Sequence, residues 1–301
     1  MSEHITADWI AVDWGTTNLR AYAMQGATVM ARADSTDGMS TLAPTGFEAA
    51  LMKLISPWTA DDPLPVVACG MVGSRQGWVE APYRAVPCTP MGKELTRAPT
   101  KSGLSVHIVP GLCQNSPPDV MRGEETQIAG FLALNPGWDG VLCMPGTHTK
   151  WAHLSAGEVV SFQTFMTGEL YALISTASVL RHSLRDNGWD KAAFEEAVSE
   201  AMSKPEHLAA RLFQLRARDL LNAQKGGATR AALSGYLIGA ELAAARPYWL
   251  GQNLAILGTG TQAQAYRDGL APQGVSAMLA DAERATLAGL TAAHRSLREK
   301  T

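Results

Sequence analysis

Charged residues are scarce in this chain of 301 residues, and no stretch is strongly basic or acidic. Only 18% of the residues are charged, and 25 Lys and Arg nearly balance 28 Asp and Glu, for a formal net charge of −3. Nucleic-acid binding needs clustered cations that neutralise phosphates, so this balance argues against a nucleic-acid partner. The hydrophobic content of 46% is high enough for a sizeable core and too high for a disordered chain.

Long apolar runs are also missing from the sequence. No run approaches the roughly 18 residues of a membrane-spanning helix, and Glu3 and Asp8 interrupt any N-terminal signal sequence. We therefore expect a cytoplasmic protein with no membrane partner. The cysteines lie too far apart for a CxxC site; they are Cys69, Cys88, Cys113 and Cys143. We expect them to be reduced and structural.

The two halves of the sequence have the same order of predicted elements. Each reads β-β-β-α-β followed by a further strand and a helix, with additional helices between residues 190 and 244 of the second half. Residues 110–118 are predicted as a turn, and residues 281–297 as the last helix. Alternating strands and helices predict mixed sheets covered by helices, and the length agrees with two domains. We predict an α/β protein with domains at residues 1–135 and 136–301.

Three Gly-Thr turns follow predicted strands. They are Gly15-Thr16-Thr17-Asn18, Gly146-Thr147-His148-Thr149-Lys150 and Gly258-Thr259-Gly260-Thr261. Glycine lets the backbone turn sharply and present its N–H groups, and threonine hydroxyls add donors, so such turns suit phosphate. The first two turns occupy matching places in the two halves and could hold a polyphosphate from two sides, with Lys150 offsetting its charge. The third could let a base or ribose approach the backbone.

Asp13 precedes the first of these turns and could hold Mg²⁺ directly or through water, because magnesium keeps much of its hydration shell. Other phosphate-binding and catalytic motifs are absent from the sequence. It contains no GxxxxGK[ST], no HExxH and no GxSxG, and the third turn lacks the last glycine of a dinucleotide fingerprint.

The three turns resemble the phosphate-1, phosphate-2 and adenosine motifs of the superfamily that includes actin, sugar kinases and Hsp70. More narrowly, the chain resembles the 2-dehydro-3-deoxygalactonokinase family. The resembling segments are Ile10–Tyr22, Cys69–Tyr83, Val109–Leu132, Met144–Trp151, Phe162–Tyr171 and Ile256–Gln262. Within them, CGMVGSRQGW and MRGEETQ are the stretches that point to this family.

The resemblance implies two RNase H-like, actin-like ATPase domains with a nucleotide cleft between them and extra helices in the second. It implies ATP and Mg²⁺ as cofactors, and ATP-dependent phosphorylation of 2-dehydro-3-deoxy-D-galactonate on its 6-hydroxyl, in galactonate catabolism. One departure from the superfamily pattern is notable. Many members carry an acidic residue before the second glycine turn, where this chain has Met144 and Pro145. Asp13 is then the metal ligand expected from these turns.

Phosphoryl transfer to a primary hydroxyl needs a carboxylate that orients and deprotonates the alcohol. Glu124 is our first candidate, followed by Glu125, with Asp13 and Asp119 as further candidates. The two glutamates begin a predicted helix, whose N-terminal N–H groups favour an ionised carboxylate. They also resemble the Gly-x-Glu-Glu segment of exopolyphosphatases. The alternative is that they are ordinary acidic residues of a first helical turn.

The carboxylate of a sugar acid would suit a bidentate guanidinium. Arg75 is the leading candidate for binding this carboxylate, with Gln76 and Trp78 shaping the pocket. Arg122 and Arg84 are the alternative candidates. The alternative for Arg75 is a solvated surface position.

Three other functions remain open at this point. One is an exopolyphosphatase-like phosphohydrolase, in which the glutamate activates water, and another is a non-catalytic actin-like module. The third is a kinase of the C4 epimer, 2-dehydro-3-deoxygluconate. The oligomeric state, a homodimer included, is open as well.

Overall fold

The structure is a computed structural model that describes residues 6–59, 64–184, 187–222 and 226–299. Its internal contacts divide the chain into two compact units. Unit 1 comprises Met1–Trp138, Ser155–Ser161 and Asp281–Thr301, and unit 2 comprises Asp139–Leu154 and Phe162–Ala280.

The described residues form the following strands and α-helices. The strands are β1 (Trp9–Trp14), β2 (Leu19–Gln25), β3 (Thr28–Ser35), β4 (Val66–Gly70), β5 (Arg84–Ala85), β6 (Thr96–Arg97), β7 (Val106–Ile108), β8 (Leu112–Asn115), β9 (Pro118–Met121), β10 (Gly140–Met144), β11 (Thr149–Ser155), β12 (Glu158–Phe165), β13 (Leu254–Leu257) and β14 (Met278–Ala280). The helices are α1 (Phe47–Ile55), α2 (Glu124–Leu134), α3 (Thr167–Ala177), α4 (Lys191–Ser203), α5 (Leu208–Asn222), α6 (Gly226–Ala244), α7 (Arg246–Trp249), α8 (Gly260–Leu270) and α9 (Ala282–Arg298).

The first sheet has the strand order β3-β2-β1-β4-β7-β6. Strand β1 is antiparallel to β2, with Asp13 opposite Arg20, and parallel to β4, with Asp13 opposite Cys69. Strand β7 continues the parallel run beyond β4. Because these three strands point the same way, their carboxyl ends meet at one edge of the sheet, which is where ligands bind in open α/β sheets.

Alternate residues of β1 pack on opposite faces of this sheet. Val12 shares a core with Phe47 of α1, and Ala11 shares another core with Leu290 of α9. Side chains of a strand alternate between its two faces, so a strand covered on both sides is apolar along its length. That is why β1 is hydrophobic from Trp9 to Val12.

The second sheet repeats the arrangement, with the strand order β12-β11-β10-β13-β14. Strand β10 is antiparallel to β11 and parallel to β13, and β13 is parallel to β14. Helices α3 to α7 lie in sequence between β12 and β13, where the first half has α1. The predicted repetition of element order, and the extra helices of the second half, are therefore confirmed.

Two details differ from the sequence analysis. Residues 110–118, predicted as a turn, include β8 and the start of β9, which form an antiparallel hairpin with Leu112 opposite Met121. Helix α9, which we assigned to the second half, packs closely on α2 in unit 1. The two helices approach at Gly130 and Gly289, where a Cβ on either residue would overlap the other helix's backbone. The domain boundary at residues 135 and 136 stays a prediction.

The four cysteines are free thiols, and Cys69 and Cys143 are buried, as expected for structural cysteines. Among the helices that the structure describes, none is long and apolar enough to cross a membrane.

Candidate active site

The first Gly-Thr turn, residues 15–18, forms the tip of the β1–β2 hairpin. The Gly15 N–H donates to the Asn18 carbonyl at 2.9 Å, which closes the turn. Residues 38–40 pack against it, since the Met39 N–H donates to the Gly15 carbonyl and the Ser40 N–H to the Thr16 carbonyl, each at 3.0 Å. Residues 16–18 are exposed. Residues 38–40 thus hold the hairpin tip by backbone hydrogen bonds, and its exposed residues are accessible to a ligand.

Asp13 lies at the carboxyl end of β1, just before this tip. Its Oδ2 accepts a hydrogen bond from Arg20 Nη1 at 3.2 Å, and its side chain is 28% exposed. Burial raises the pKa of Asp13 above its usual value, and the Arg20 guanidinium partly offsets that effect. A second cation near the carboxylate would further favour its ionised form.

Helix α2 begins with the predicted catalytic pair. Glu124 is partly exposed, and its Oε2 accepts from the Arg122 N–H at 3.1 Å. Glu125 is fully buried; its Oε2 accepts from the Gly123 N–H at 2.7 Å and its Oε1 from the Thr126 hydroxyl at 2.9 Å. Burial, and after it the Glu124 carboxylate, raise the pKa of Glu125 to about 7. Of the two, Glu124 is therefore the carboxylate that a ligand can reach.

The start of α2 lies at the same sheet edge as Asp13. Gly123 contacts Gly70 at the end of β4, where its Cβ position would be 3.4 Å from the Gly70 Cα. Cys69, next to Gly70, lies near both Asp13 and Glu125. Burial first, and then these two carboxylates, raise the pKa of its thiol. Three of the four carboxylates predicted as catalytic candidates, Asp13, Glu124 and Glu125, are thus brought together within unit 1.

Arg122, just before these glutamates, is buried beneath the loop that follows β4. Its Nη2 donates to the Ala81 carbonyl at 2.8 Å, and its guanidinium stacks over the Tyr83 ring at 4.3 Å. Its Nε and Nη1 are buried with no hydrogen-bond partner among the described residues. A Cβ at Gly73 would come within 2.9 Å of Nη1 and 2.8 Å of Ile108 Cγ2, so a larger residue there would displace one of these side chains. Arg122 supports the loop from below.

Arg75 and Gln76 lie on the exposed side of that loop, and Trp78 on its inner side. The Arg75 side chain is 81% exposed, with its Nε 3.5 Å from a Glu80 carboxylate oxygen. Trp78 packs edge-on against Trp14, with ring centroids 6.1 Å apart. Exposed ion pairs contribute little stability, so the Arg75 guanidinium is available to a ligand, whereas Trp78 is held in place by packing.

The second Gly-Thr turn joins β10 to β11 in unit 2. The Gly146 carbonyl accepts from Gln262 Nε2 at 3.1 Å, and the Thr147 carbonyl accepts from the Glu169 N–H at 2.9 Å. Lys150 is buried, and its Nζ donates to Thr164 Oγ1 at 3.0 Å. The turn is thus anchored to the first residues of α3 and α8, and a role of Lys150 towards phosphate stays a prediction.

The third turn, residues 258–260, links β13 to α8. The Gly258 N–H donates to the Ala280 carbonyl at 3.0 Å, Thr259 is the N-cap of α8, and Gly260 has a φ of +74° that favours glycine. Both Thr259 and Gly260 are exposed. The turn leads into the N-terminus of α8, whose residues Thr261 and Gln262 line a cavity.

Unit 2 contains a cavity of about 830 Å³ next to the second and third turns. Its wall includes Gly146, Thr147, Thr167, Gly168, Tyr171, Trp189, Lys191, Arg230, Ser234, Leu237, Ile238, Thr261, Gln262, Gln264, Ala265, Tyr266 and Asp268. The volume lies in the range of small-molecule sites, and the mixture of apolar walls with a few polar groups is typical of them.

None of the α6 residues in this wall was predicted as a site residue from the sequence. Arg230, Ser234 and Leu237 recur every three or four positions and therefore share one face of the helix. That periodicity was visible in the sequence, but it also fits a helix packed in a core. Arg230 donates to the Leu184 carbonyl at 3.0 Å and to the Tyr171 hydroxyl at 3.3 Å.

The repeated sheets are found in solved structures of low sequence similarity. An activator of 2-hydroxyisocaproyl-CoA dehydratase from Clostridium difficile, with bound ADPNP, matches at a TM-score of 0.57 and 12% identity, over 97% of this chain and 96% of that chain. The predicted α/β class, with two RNase H-like, actin-like ATPase domains, is confirmed. The nucleotide cleft between the domains stays a prediction.

Closer similarity defines the family. The family model described as 2-keto-3-deoxy-galactonokinase matches residues 13–293, and the chain belongs to this family. It is 38% identical to the "Probable 2-dehydro-3-deoxygalactonokinase DgoK1" of Rhizobium meliloti (strain 1021), over 96% of this chain and 97% of that protein. It is 37% identical to the 2-dehydro-3-deoxygalactonokinase of Escherichia coli (strain K12), over 85% and 87%.

A crystal structure of a candidate 2-dehydro-3-deoxygalactonokinase from Sinorhizobium meliloti is similar along the whole fold. It matches at a TM-score of 0.90 and 38% identity, over 96% of this chain and 99% of that chain. The family predicted from the Gly-Thr turns and the CGMVGSRQGW and MRGEETQ segments is confirmed.

Proposed function

We propose that this protein transfers the γ-phosphoryl group of ATP to the 6-hydroxyl of 2-dehydro-3-deoxy-D-galactonate, giving the 6-phosphate. Membership of the family and the names of its relatives support the substrate and the reaction. One observation of the site carries the proposal. The start of α2 presents the partly exposed Glu124 at the sheet edge where β1 ends with Asp13.

ATP binds in the cavity of unit 2 in this proposal. The base and ribose occupy the cavity, with Gly258, Thr259 and Gly260 allowing close approach at the start of α8. Gly146 and Thr147 line the cavity and offer their turn to the phosphates. Backbone N–H groups of such turns and of helix N-termini favour anions, which supports this orientation. Gly15, Thr16, Thr17 and Asn18 form the corresponding turn of unit 1.

Asp13 is the residue that we propose to hold Mg²⁺. Magnesium is commonly bound by one or two carboxylates together with water and substrate phosphates, and a single, partly exposed carboxylate fits that pattern. The raised pKa of Asp13 indicates a carboxylate whose charge the protein compensates incompletely, which suits a cation. Bound there, Mg²⁺ would neutralise charge on the β- and γ-phosphates.

Glu124 acts as the base that orients and deprotonates the 6-hydroxyl. Its position in the first turn of α2 stabilises the ionised form, and it is the more accessible member of the pair. Glu125 has both carboxylate oxygens engaged by the Gly123 N–H and the Thr126 hydroxyl, so it supports the helix start. Its role is to keep Glu124 in place.

Arg75 binds the sugar-acid carboxylate, with Gln76 beside it on the exposed face of the loop. Its guanidinium is exposed, whereas that of Arg122 is covered by the loop. Arg122 then acts from beneath, by holding the loop through Ala81 and Tyr83.

The test is ADP release by the purified protein with ATP and Mg²⁺, measured with 2-dehydro-3-deoxygalactonate, with its C4 epimer and with no sugar acid. We expect ADP release that depends on the sugar acid, and a product whose phosphorus signal is split by two protons, as for a phosphate on a CH₂ group. ATP consumption that ignores the sugar acid would favour the phosphohydrolase alternative. A higher kcat/KM for the epimer would reassign the substrate.

A further inference from the structure

Glu241 is a buried carboxylate that the proposed chemistry does not use. It lies within α6 and is 3% exposed. Its Oε1 accepts from Trp151 Nε1 and its Oε2 from the Tyr266 hydroxyl, both at 2.7 Å, and the Thr167 hydroxyl is a third hydrogen-bond partner. Burying a carboxylate is costly unless hydrogen bonds satisfy it, so this arrangement needs a reason beyond packing.

The three partners belong to three different elements around the cavity. Trp151 is in β11, which begins immediately after the second Gly-Thr turn. Tyr266 is in α8 and Thr167 is the first residue of α3, and both contribute to the cavity wall. Helix α6 contributes Arg230 and other wall residues itself. A single carboxylate therefore connects three helices of the cavity wall, α3, α6 and α8, with strand β11, which follows the second Gly-Thr turn.

The hydrogen-bond network around Glu241 extends to the second Gly-Thr turn. The Tyr266 hydroxyl, besides donating to Glu241, lies 2.8 Å from the Thr149 hydroxyl, and Thr149 is the residue at which the turn ends. Thr149 is fully buried. Chains of buried hydrogen bonds hold side chains in defined positions, because each broken link leaves an unsatisfied polar group.

We propose that Glu241 is a positioning residue for the nucleotide: through Tyr266 and Thr149 it fixes the cavity wall and the second Gly-Thr turn relative to each other. The inference rests on the proposed placement of ATP in this cavity. Glu241 does not touch the nucleotide; it sets the distance between the groups that hold the nucleoside and those that hold its phosphates. Its loss should weaken ATP binding more than sugar-acid binding.

The chain offers a matched pair of tyrosines to separate this role from general stability. Tyr266 and Tyr236 are both buried, and each donates its hydroxyl hydrogen to a glutamate, Glu241 and Glu200 respectively. Tyr236 lies on α6 but does not belong to the cavity wall among the described residues. Tyr266→Phe and Tyr236→Phe each delete a tyrosine–glutamate hydrogen bond, and only that of Tyr266 belongs to the hydrogen-bond network of Glu241 and Thr149.

The experiment measures binding of a non-hydrolysable ATP analogue by calorimetry, and the KM values for ATP and for the sugar acid. Glu241→Leu and Tyr266→Phe should raise the Kd of the analogue and the KM for ATP by about ten-fold, with the sugar-acid KM within two-fold of the wild type. Glu241→Gln, which keeps an acceptor for Trp151 and a polar contact to Tyr266, should restore most of the affinity. Tyr236→Phe should leave the Kd unchanged.

The inference is overturned if Tyr266→Phe binds the analogue as the wild type does, or if Tyr236→Phe weakens binding equally. Should Glu241→Leu fail to fold, the other variants still decide the matter. Failure of the proposed function has a different signature: the wild type would bind the analogue but phosphorylate no sugar acid, and the comparison of Kd values would stand.

Discussion

Gly168, the second residue of α3, lies directly against the backbone of Gly146 in the second Gly-Thr turn. A Cβ on Gly168 would overlap the Gly146 carbonyl oxygen and the Thr147 Cα. The next N–H along α3, that of Glu169, donates to the Thr147 carbonyl at 2.9 Å. The helix and the turn are thus in backbone contact, and the position of the turn depends on a missing side chain.

Gly168→Ala should therefore displace the turn and weaken ATP binding. We expect a rise of about ten-fold or more in the KM for ATP, since backbone would have to move to accept the methyl group. The KM for the sugar acid should change little. Steady-state kinetics with each substrate varied in turn checks this. An unchanged KM for ATP would mean that the Gly146 turn does not contact the nucleotide.

Glu124→Gln should lower kcat by roughly 10²–10⁴-fold, the usual contribution of a general base. The amide keeps the size and the acceptor of the side chain, so the ATP analogue should bind as before. Single-turnover measurements with saturating substrates would isolate the chemical step. If Glu124→Gln turns over normally, the base is Glu125 or Asp13.

Glu125→Gln should change how stability depends on pH. The folded-state pKa of Glu125 is about 7, against an ordinary value of 4.5, so between these values the folded protein keeps a proton that the unfolded chain has lost. The contribution of Glu125 to the free energy of unfolding therefore falls as the pH rises from 4.5 to 7, and is constant above 7. That contribution changes by at most roughly 3 kcal/mol.

Glutamine does not titrate, so urea unfolding of Glu125→Gln at pH 5, 6, 7 and 8 should show a smaller fall than the wild type. Burial also raises the pKa of Glu241 to about 7, so Glu241 likewise lowers the free energy of unfolding as the pH rises. The Glu125→Gln variant keeps Glu241 and therefore retains this part of the fall. Parallel curves for the two proteins would contradict the raised pKa of Glu125.

Arg75→Ala should raise the KM for the sugar acid by about ten-fold or more and leave the KM for ATP unchanged, because it removes a charge-assisted contact to the substrate carboxylate. Arg97, an exposed arginine of β6, provides the control: Arg97→Ala should behave as the wild type. Equal effects on both KM values, or no effect on either, would mean that a residue other than Arg75 binds the carboxylate of the sugar acid.

Asp13→Asn should increase the Mg²⁺ concentration needed for half-maximal activity, since a neutral amide is a poorer ligand for a hard cation. Titration of Mg²⁺ at fixed ATP measures this, with Asp139→Asn, at an exposed aspartate just before β10, as the control. A Mg²⁺ dependence equal to that of the wild type would remove Asp13 from the metal site.

Much of the fold could be predicted because its signals are local. The helix predicted to begin with the two glutamates is observed as α2, with glycine just before it and asparagine just after it. The β8–β9 hairpin was missed because its strands are short and Pro118 opens the second one. Helix α9 follows β14 directly in sequence, and only its apolar face decides that it packs in unit 1.

The sequence by itself determined the order of elements, the three Gly-Thr turns and the family, because these depend on residues adjacent in the chain. Only the tertiary structure decided that Glu125 is buried while Glu124 is accessible, and that Arg122 lies under the loop of Arg75. Likewise, Trp151 and Glu241 meet across 90 residues of chain. Burial, pKa and hydrogen bonding depend on groups brought close by folding, and residue spacing does not encode them.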